Sequence, residues 1–101
     1  MASRTDLHEV FCRILGNRNA YFQPPSTVQM SYPAIRYKRK KIDNKFANNN
    51  VYIQNRCYEV TVIDYDPESR IVDEVSLLPQ CTHDRQYVSN NLNHDVFTIY
   101  Y

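Results

Sequence analysis

The cysteines and histidines in the last third of the chain are the first residues whose spacing could do chemistry. Cys81 and His83 are separated by one residue, and His94 and Cys57 are the other candidate zinc ligands. Their spacing matches neither a C-x-x-C pair nor the two-histidine helix of a zincin. Cys81, His83, Asp84 and His94 could also supply a nucleophile, a base and an orienting carboxylate, but nothing in the local sequence singles out such a group. The sequence therefore predicts no metal, no cofactor and no catalytic residue.

Phosphate-binding and acid-base chemistry have no better support. The sequence contains one glycine, Gly16, so a glycine-rich phosphate loop is excluded. Asp64 and Asp66 are paired carboxylates, but we interpret them as the acidic end of a strand and a helix cap. The three cysteines are odd in number and widely spaced, which predicts reduced, semi-buried thiols and not a disulfide framework. We therefore expect a protein that makes contacts and is not an enzyme.

The charged residues are distributed unevenly, although the net charge is only +1. Residues 36–45 hold six basic residues and one acidic residue, whereas residues 59–74 hold six acidic residues and one basic residue. If the two stretches lie on opposite sides of the domain, copies can meet head to tail and close into a ring. The basic run also leaves open a solvated hairpin arm or contact with nucleic-acid phosphates.

Length and hydropathy predict a single domain, residues 1–101. The chain has 101 residues, and no apolar run approaches the roughly 20 residues that span a bilayer. The N-terminus lacks the basic-then-apolar layout of a signal peptide, so we expect synthesis in the cytoplasm.

The first half of the chain predicts a helix followed by a β-hairpin. Apolar residues between Leu7 and Leu15 recur at helical spacing, and Gly16 suits the end of that helix. A proline-containing loop precedes a strand at residues 32–41, turn-forming residues at 43–50 and a return strand at 51–65. Alternation along the return strand predicts an apolar core face and a second face of mixed character.

The second half repeats this order. Asp66 is the predicted N-cap of a second helix, Pro67 its first residue, and Pro79 ends it. Residues 86–88 and 92–101 predict a closing hairpin rich in aromatic and β-branched side chains. The fold class is therefore α+β, with helices packed on one face of a mainly antiparallel sheet. The side chains expected to cover that face are Leu7, Phe11, Ile14, Ile71, Val75 and Leu78.

From residue 31 onward, the chain resembles small head-tail joining and tail-terminator (tail completion) proteins of long-tailed bacteriophages and prophages. The matching blocks are Tyr32-Pro33-Ala34-Ile35, Asp43-Asn44-Lys45-Phe46-Ala47-Asn48-Asn49, Tyr58-x-Val60-Thr61-Val62-Ile63-Asp64-x-Asp66-Pro67, Leu78-Pro79-x-Cys81-x-x-Asp84-Arg85-x-Tyr87 and Asn91-Leu92-Asn93-His94-x-Val96-Phe97-Thr98-Ile99-Tyr100-Tyr101.

The resemblance implies a tail-terminator-like fold and a structural virion protein, located in the tail or neck. Such a protein forms a ring, commonly a hexamer, at the head-proximal end of the tail tube and joins it to the neck. Its partners would be further copies, the tail-tube protein and a neck or head-completion protein, with DNA passing through the ring without sequence-specific contact. A head-closure (stopper) or adaptor protein of the neck is the first alternative, and a small nucleic-acid-binding protein using the 36–41 run is the second.

The expected interface consists of the basic run, the loop after it, the acidic stretch and the C-terminal tyrosines. We expect Tyr100 and Tyr101 either to expose their rings at a sheet edge or to belong to the ordinary core. The candidate interface residues are Arg36, Lys38, Arg39, Lys40, Lys41, Phe46, Asp64, Asp66, Glu68, Asp73, Glu74, Tyr100 and Tyr101.

Overall fold

The fold is α+β, as the sequence predicted. A computed structural model describes residues 4–24, 29–47 and 50–100, with side chains described except those of residues 43–47 and 50–55. Within these ranges the chain forms two helices and a mixed five-stranded sheet. The elements are α1 (Arg4–Leu15), β1 (Ala20–Phe22), β2 (Ala34–Ala47), β3 (Asn50–Asp64), α2 (Arg70–Ser76), β4 (Cys81–Ser89) and β5 (Leu92–Tyr100). Neither helix in this part of the chain has the length and hydrophobicity needed to cross a membrane.

The strands lie in the order β1-β2-β3-β5-β4. All neighbouring pairs are antiparallel except β1 with β2, which are parallel. The sequence did not predict β1, because a three-residue strand is too short to show alternation. It also placed the closing strand at a sheet edge, which is wrong: β5 lies between β3 and β4, and β4 is the edge strand.

Both helices pack on one face of the sheet, which we call the covered face. Tyr58, Val60 and Val62 of β3 point to this face, as the alternation predicted. The prediction of the helical contacts is confirmed, because four of the six side chains are buried in the same cluster and Ile14 and Leu78 pack against it. Its buried members are Leu7, Phe11, Cys12, Leu15, Ala20, Ile35, Tyr37, Tyr58, Val60, Val62, Ile71, Val75, Phe97 and Ile99.

The two helices begin and end for identifiable reasons. Gly16 has a φ of +74° and donates its N–H to the Cys12 carbonyl, so it ends α1 as predicted. The predicted start of α2 was wrong, because its N-cap is Ser69, whose Oγ accepts the Ile71 N–H at 3.2 Å. Asp66 instead caps a turn that precedes the helix by accepting the Glu68 N–H at 2.9 Å.

The hairpins are longer than the sequence indicated. β2 continues to Ala47 through most of the predicted turn, and β3 begins at Asn50. In the second hairpin, Asn90 and Asn91 have φ values of 53° and 63°, which are typical of a two-residue type I′ turn. The predicted strand at 86–88 is the end of β4, which begins at Cys81.

The first hairpin extends beyond the rest of the sheet. β5 pairs with β3 only from Cys57 to Asp64, so residues 42–47 and 50–56 pair only with each other among the described residues. We call this two-stranded extension the ribbon. At about 3.4 Å per residue it extends roughly 20 Å, and the domain measures 51 × 27 × 23 Å along its principal axes.

Candidate functional site

The second face of the sheet carries no residue of the core cluster formed by the helices, and we call it the open face. Cys57, Glu59, Thr61 and Ile63 of β3 point to it, which confirms the predicted mixed character. Cys57, Thr61 and Ile63 are buried and Glu59 is partly exposed. The partly exposed carboxylate of Glu59 therefore lies among buried small and β-branched side chains on this face.

Two β-bulges decide which charged residues reach the open face. In β2, Arg39 pairs with Tyr58 and Lys41 with Cys57, so Lys40 is an extra residue and Lys41 joins Lys38 on the open face. In β4, His83 pairs with Phe97 and Arg85 with Val96, so Asp84 is the extra residue. Because side chains alternate along a strand, this second bulge moves residues that follow it to the other face. Arg85 and Tyr87 thereby join the open face, where Asp84 also accepts the Thr98 hydroxyl at 2.6 Å.

A concavity of about 470 Å³ lies on the open face and reaches the outer edge of β2. Thr61 and Glu59 of the central strand β3 contribute to its lining. Thr61 pairs with Arg36 on β2 and with Val96 on β5, and Val96 pairs with Arg85 on β4. The two arginines therefore lie in one row across the sheet, on opposite sides of β3. The lining residues of the concavity are Gln23, Pro24, Arg36, Tyr37, Lys38, Arg39, Glu59, Thr61, Arg85 and Tyr87.

Glu59 is the electrostatic centre of this concavity. Its carboxylate lies 3.2 Å from Lys38 Nζ and 3.9 Å from an Arg85 guanidinium nitrogen. Arg85 also lies over the Tyr87 ring at 5.9 Å, and that ring stacks on His94 with centroids 4.7 Å apart and planes 14° apart. The site is thus an ordered set of basic and aromatic groups around one carboxylate, suited to an anionic partner.

The structure separates the predicted basic residues. Arg36 and Lys38 lie on the open face, whereas Arg39 lines the concavity from its edge. Lys40 and Lys41 are exposed where the ribbon begins. Phe46 lies in the ribbon strand β2, and its side chain is outside the described residues.

The predicted acidic residues have divided roles. Asp64 accepts the Ser69 hydroxyl at 2.6 Å and the Asp66 N–H at 3.3 Å, so it stabilises the approach to α2. Glu74 pairs with Arg70 at 2.8 Å within the helix. The side chains that remain most exposed are Asp66, Glu68, Asp73 and Glu74.

Of the two predicted C-terminal tyrosines, the structure describes Tyr100. Tyr100 is half-buried, pairs with Cys57 and donates its N–H to the Gln80 carbonyl. Tyr101 lies outside the described residues.

The cysteine and histidine groups that could do chemistry do not converge. Cys81 and His83 lie on the covered face, whereas His94 and Cys57 lie on the open face. Burial, followed by the Asp84 charge, raises the pKa of Cys81 to about 11, which disfavours the thiolate. His83 Nε2 instead contacts Asp95 Oδ1 at 3.1 Å. No cluster of three metal-binding side chains occurs among the described residues.

A polar cluster on the covered face holds α1 against β2. The Tyr37 hydroxyl lies 2.7 Å from His8 Nδ1 and accepts a hydrogen bond from Arg4 at 3.2 Å. Burial raises the pKa of Tyr37, while burial and the Arg4 charge lower the pKa of His8. The rings of Phe11 and Phe22 each lie 5.1 Å from that of Tyr37. This cluster is structural, because its hydroxyl is enclosed by the helix and sheet.

Sequence reasoning missed Arg85 and Tyr87 as members of the open-face site. They lie in a matched block of the resemblance, but simple alternation from Cys81 would have put both on the covered face. The bulge at Asp84 has no sequence signature that alternation analysis detects.

No family model and no curated protein matches this chain.

Proposed function

We propose that the chain is a structural virion protein that forms a ring at the head-proximal end of a long-tailed phage's tail tube. In this proposal it ends the tail, joins it to the neck and is not an enzyme. The α1, β2-β3 hairpin, α2, β4-β5 hairpin order supports a tail-terminator-like fold. The protein would be made in the bacterial cytoplasm and would function in the virion, with the tube protein and a neck protein as partners.

The ribbon is the observation that carries this proposal. An isolated two-stranded hairpin is at best marginally stable in water, and its outer edges present unpaired backbone groups. The ribbon is a two-stranded hairpin of this kind among the described residues, and the exposed Lys40 and Lys41 lie at its base. A neighbouring subunit or the tube end would provide a surface against which this two-stranded extension packs.

Removing the ribbon tests the proposal directly. Lys41 and Cys57 are paired, so replacing residues 42–56 by Asn-Gly should close the hairpin with a two-residue turn. The shortened protein should still unfold in one cooperative thermal transition but lose the ability to cap purified tails in negative-stain images. A second variant, with Lys38, Arg39, Lys40 and Lys41 changed to Ala, should weaken capping. Arg13→Ala, on the exposed side of α1, is the control.

The result that would contradict the proposal is equally visible. A folded ribbon-less protein that caps tails as well as the full chain would remove the ribbon from the interface. Rings found elsewhere in the neck would favour a stopper or adaptor protein, because those components share small size and a structural role.

Nucleic-acid binding is the second candidate function. It is favoured by the common placement of Arg36, Lys38, Lys41 and Arg85 on the open face. Phosphate contacts make affinity fall steeply with salt, so a duplex titration between about 50 and 200 mM salt distinguishes the two functions. Tight, salt-sensitive binding near physiological salt would support this candidate.

A further inference from the structure

We propose that the open-face concavity binds the acidic segment, residues 66–74, of a second copy of this chain. This inference rests on the proposed ring and names the contact between its subunits. The segment comprises the turn before α2 and the first part of that helix, so the contact joins two different surfaces, one from each copy.

The concavity has the charge that such a partner requires. Arg36, Lys38, Arg39 and Arg85 line it, whereas Glu59 is the single carboxylate among the described residues of its lining. Arginine can bind a carboxylate through two parallel hydrogen bonds, which gives the contact direction as well as attraction.

The acidic segment has complementary chemistry. Asp66, Glu68 and Asp73 are exposed carboxylates within it. Two large apolar side chains flank the segment and are also exposed, Tyr65 at 65% and Leu77 at 83%. Apolar anchors beside charged groups are the usual composition of a protein contact with a polar rim.

The acidic segment of one copy cannot bind the concavity of the same copy. α2 packs on the covered face through Ile71 and Val75, whereas the concavity opens on the other face. The contact must therefore be heterologous, which is the kind that closes into a ring when the rotation between copies allows. The net charge of +1 means that little overall repulsion opposes the approach of copies.

A protein partner fits the concavity better than a nucleic acid. A phosphate backbone requires a basic track of some length, whereas Glu59 interrupts the basic surface and engages both Lys38 and Arg85. The cations that surround the Glu59 carboxylate are better placed to bind a few separate carboxylates on a folded protein segment.

Charge reversal on both surfaces tests the contact. Variant one carries Arg36→Glu and Arg85→Glu, variant two carries Glu68→Lys and Asp73→Lys, and variant three carries all four changes. Sedimentation velocity should show that the wild type associates and that variants one and two associate at least about tenfold more weakly. Variant three should return to within about threefold of the wild type, because both partners have exchanged sign.

The controls separate this contact from folding and from tail binding. Arg13→Glu reverses an exposed charge on α1 and should leave association unchanged. Thermal melts check each fold, and the milder pair Arg85→Gln and Asp73→Asn replaces any variant that fails to fold. In that case each milder change should weaken association separately, and combining them should weaken it by less than the sum of the two effects, because both changes remove parts of the same contact.

Three results would overturn the inference. The wild type could remain monomeric at about 100 μM, which is well above the dissociation constant expected for a specific contact. Variant three, which carries all four changes, could fail to regain association. Variant one could lose binding to a 30-base-pair duplex while associating normally, which would assign the concavity to nucleic acid. Tail capping is measured separately, so copies that associate but do not cap tails would contradict only the proposed function.

Discussion

The two faces of the sheet use the same strands in different ways. On the covered face, the two helices enclose apolar side chains around Tyr37, which is 1% exposed. On the open face, buried residues such as Val96 and Ile63 lie beside Arg85 and Tyr87, which remain accessible. Both faces contain buried side chains, and the open face combines them with the charged concavity between Arg36 and Arg85.

This difference indicates that stability and contact chemistry are largely separated across one sheet. Substitutions on the covered face should change the free energy of unfolding, because they alter packing. Substitutions among exposed groups of the open face should change association much more than stability.

The largest expected effect follows from removing a ring on the covered face. Phe11 is fully buried and packs against Tyr37, so Phe11→Ala should destabilise the protein by about 3–5 kcal/mol. Urea unfolding followed by circular dichroism measures the change. Val88→Ala, at a side chain that is 64% exposed, is the matched control and should change stability by less than about 0.5 kcal/mol. Equal effects would show that α1 does not form the core described here.

The next effect concerns the polar cluster within the same face. Tyr37→Phe removes the hydroxyl that contacts His8 and Arg4 while keeping the ring. We expect a loss of about 1–2 kcal/mol, because partly buried partners lose a hydrogen bond. Urea unfolding measures it, and Tyr65→Phe, at an exposed ring, is the control. An unchanged midpoint would mean that the cluster adds nothing to the packing of the rings.

A somewhat smaller effect is expected at the start of α2. Ser69 is buried, caps the helix and donates its hydroxyl to Asp64. Ser69→Ala should therefore cost about 1 kcal/mol. The sequence prediction placed the cap at Asp66, so Asp66→Ala gives a direct comparison in the same urea assay. A larger loss for Asp66→Ala than for Ser69→Ala would restore the earlier assignment.

The covered face was largely predictable from the sequence. The apolar stripe of α1 and the alternation of β3 are local patterns. Both are confirmed, because Leu7 and Phe11 of α1 and Val60 and Val62 of β3 are buried in the core cluster. The start of α2 was less predictable, because Asp66 and Ser69 are both good caps. Only the hydrogen bonds to the Ile71 and Glu68 N–H groups distinguish the two.

The open-face site was much less predictable. Arg36 and Lys38 could be named from the basic run, but the bulges that bring Lys41 and Arg85 to the same face depend on strand register. Register is set by pairing between distant segments, and one extra residue reverses the alternation that follows it. The edge position of β4 likewise follows from topology, which local patterns do not encode.

A small effect is expected for the ion pair on the open face. Lys38 pairs with Glu59 at 3.2 Å, but the lysine side chain is 63% exposed. Lys38→Met keeps an unbranched apolar side chain and should change the free energy of unfolding by less than about 1 kcal/mol. Repeating the urea titration in 1 M salt checks the cause, because screening should shrink the difference between the two proteins. A loss as large as that of Phe11→Ala would break the separation between the two faces.

The smallest expected effect is a pH dependence that originates on the covered face. Burial and the charge of Arg4 lower the pKa of His8 in the folded protein below its usual 6.5. The unfolded chain therefore binds more protons between the folded and unfolded pKa values, and stability falls as the pH drops below about 6.5. Urea midpoints measured from pH 7.5 to 5 should show this decline, and His8→Gln should make it shallower. Because open-face groups remain unchanged in that variant, an identical slope would assign the decline to other groups.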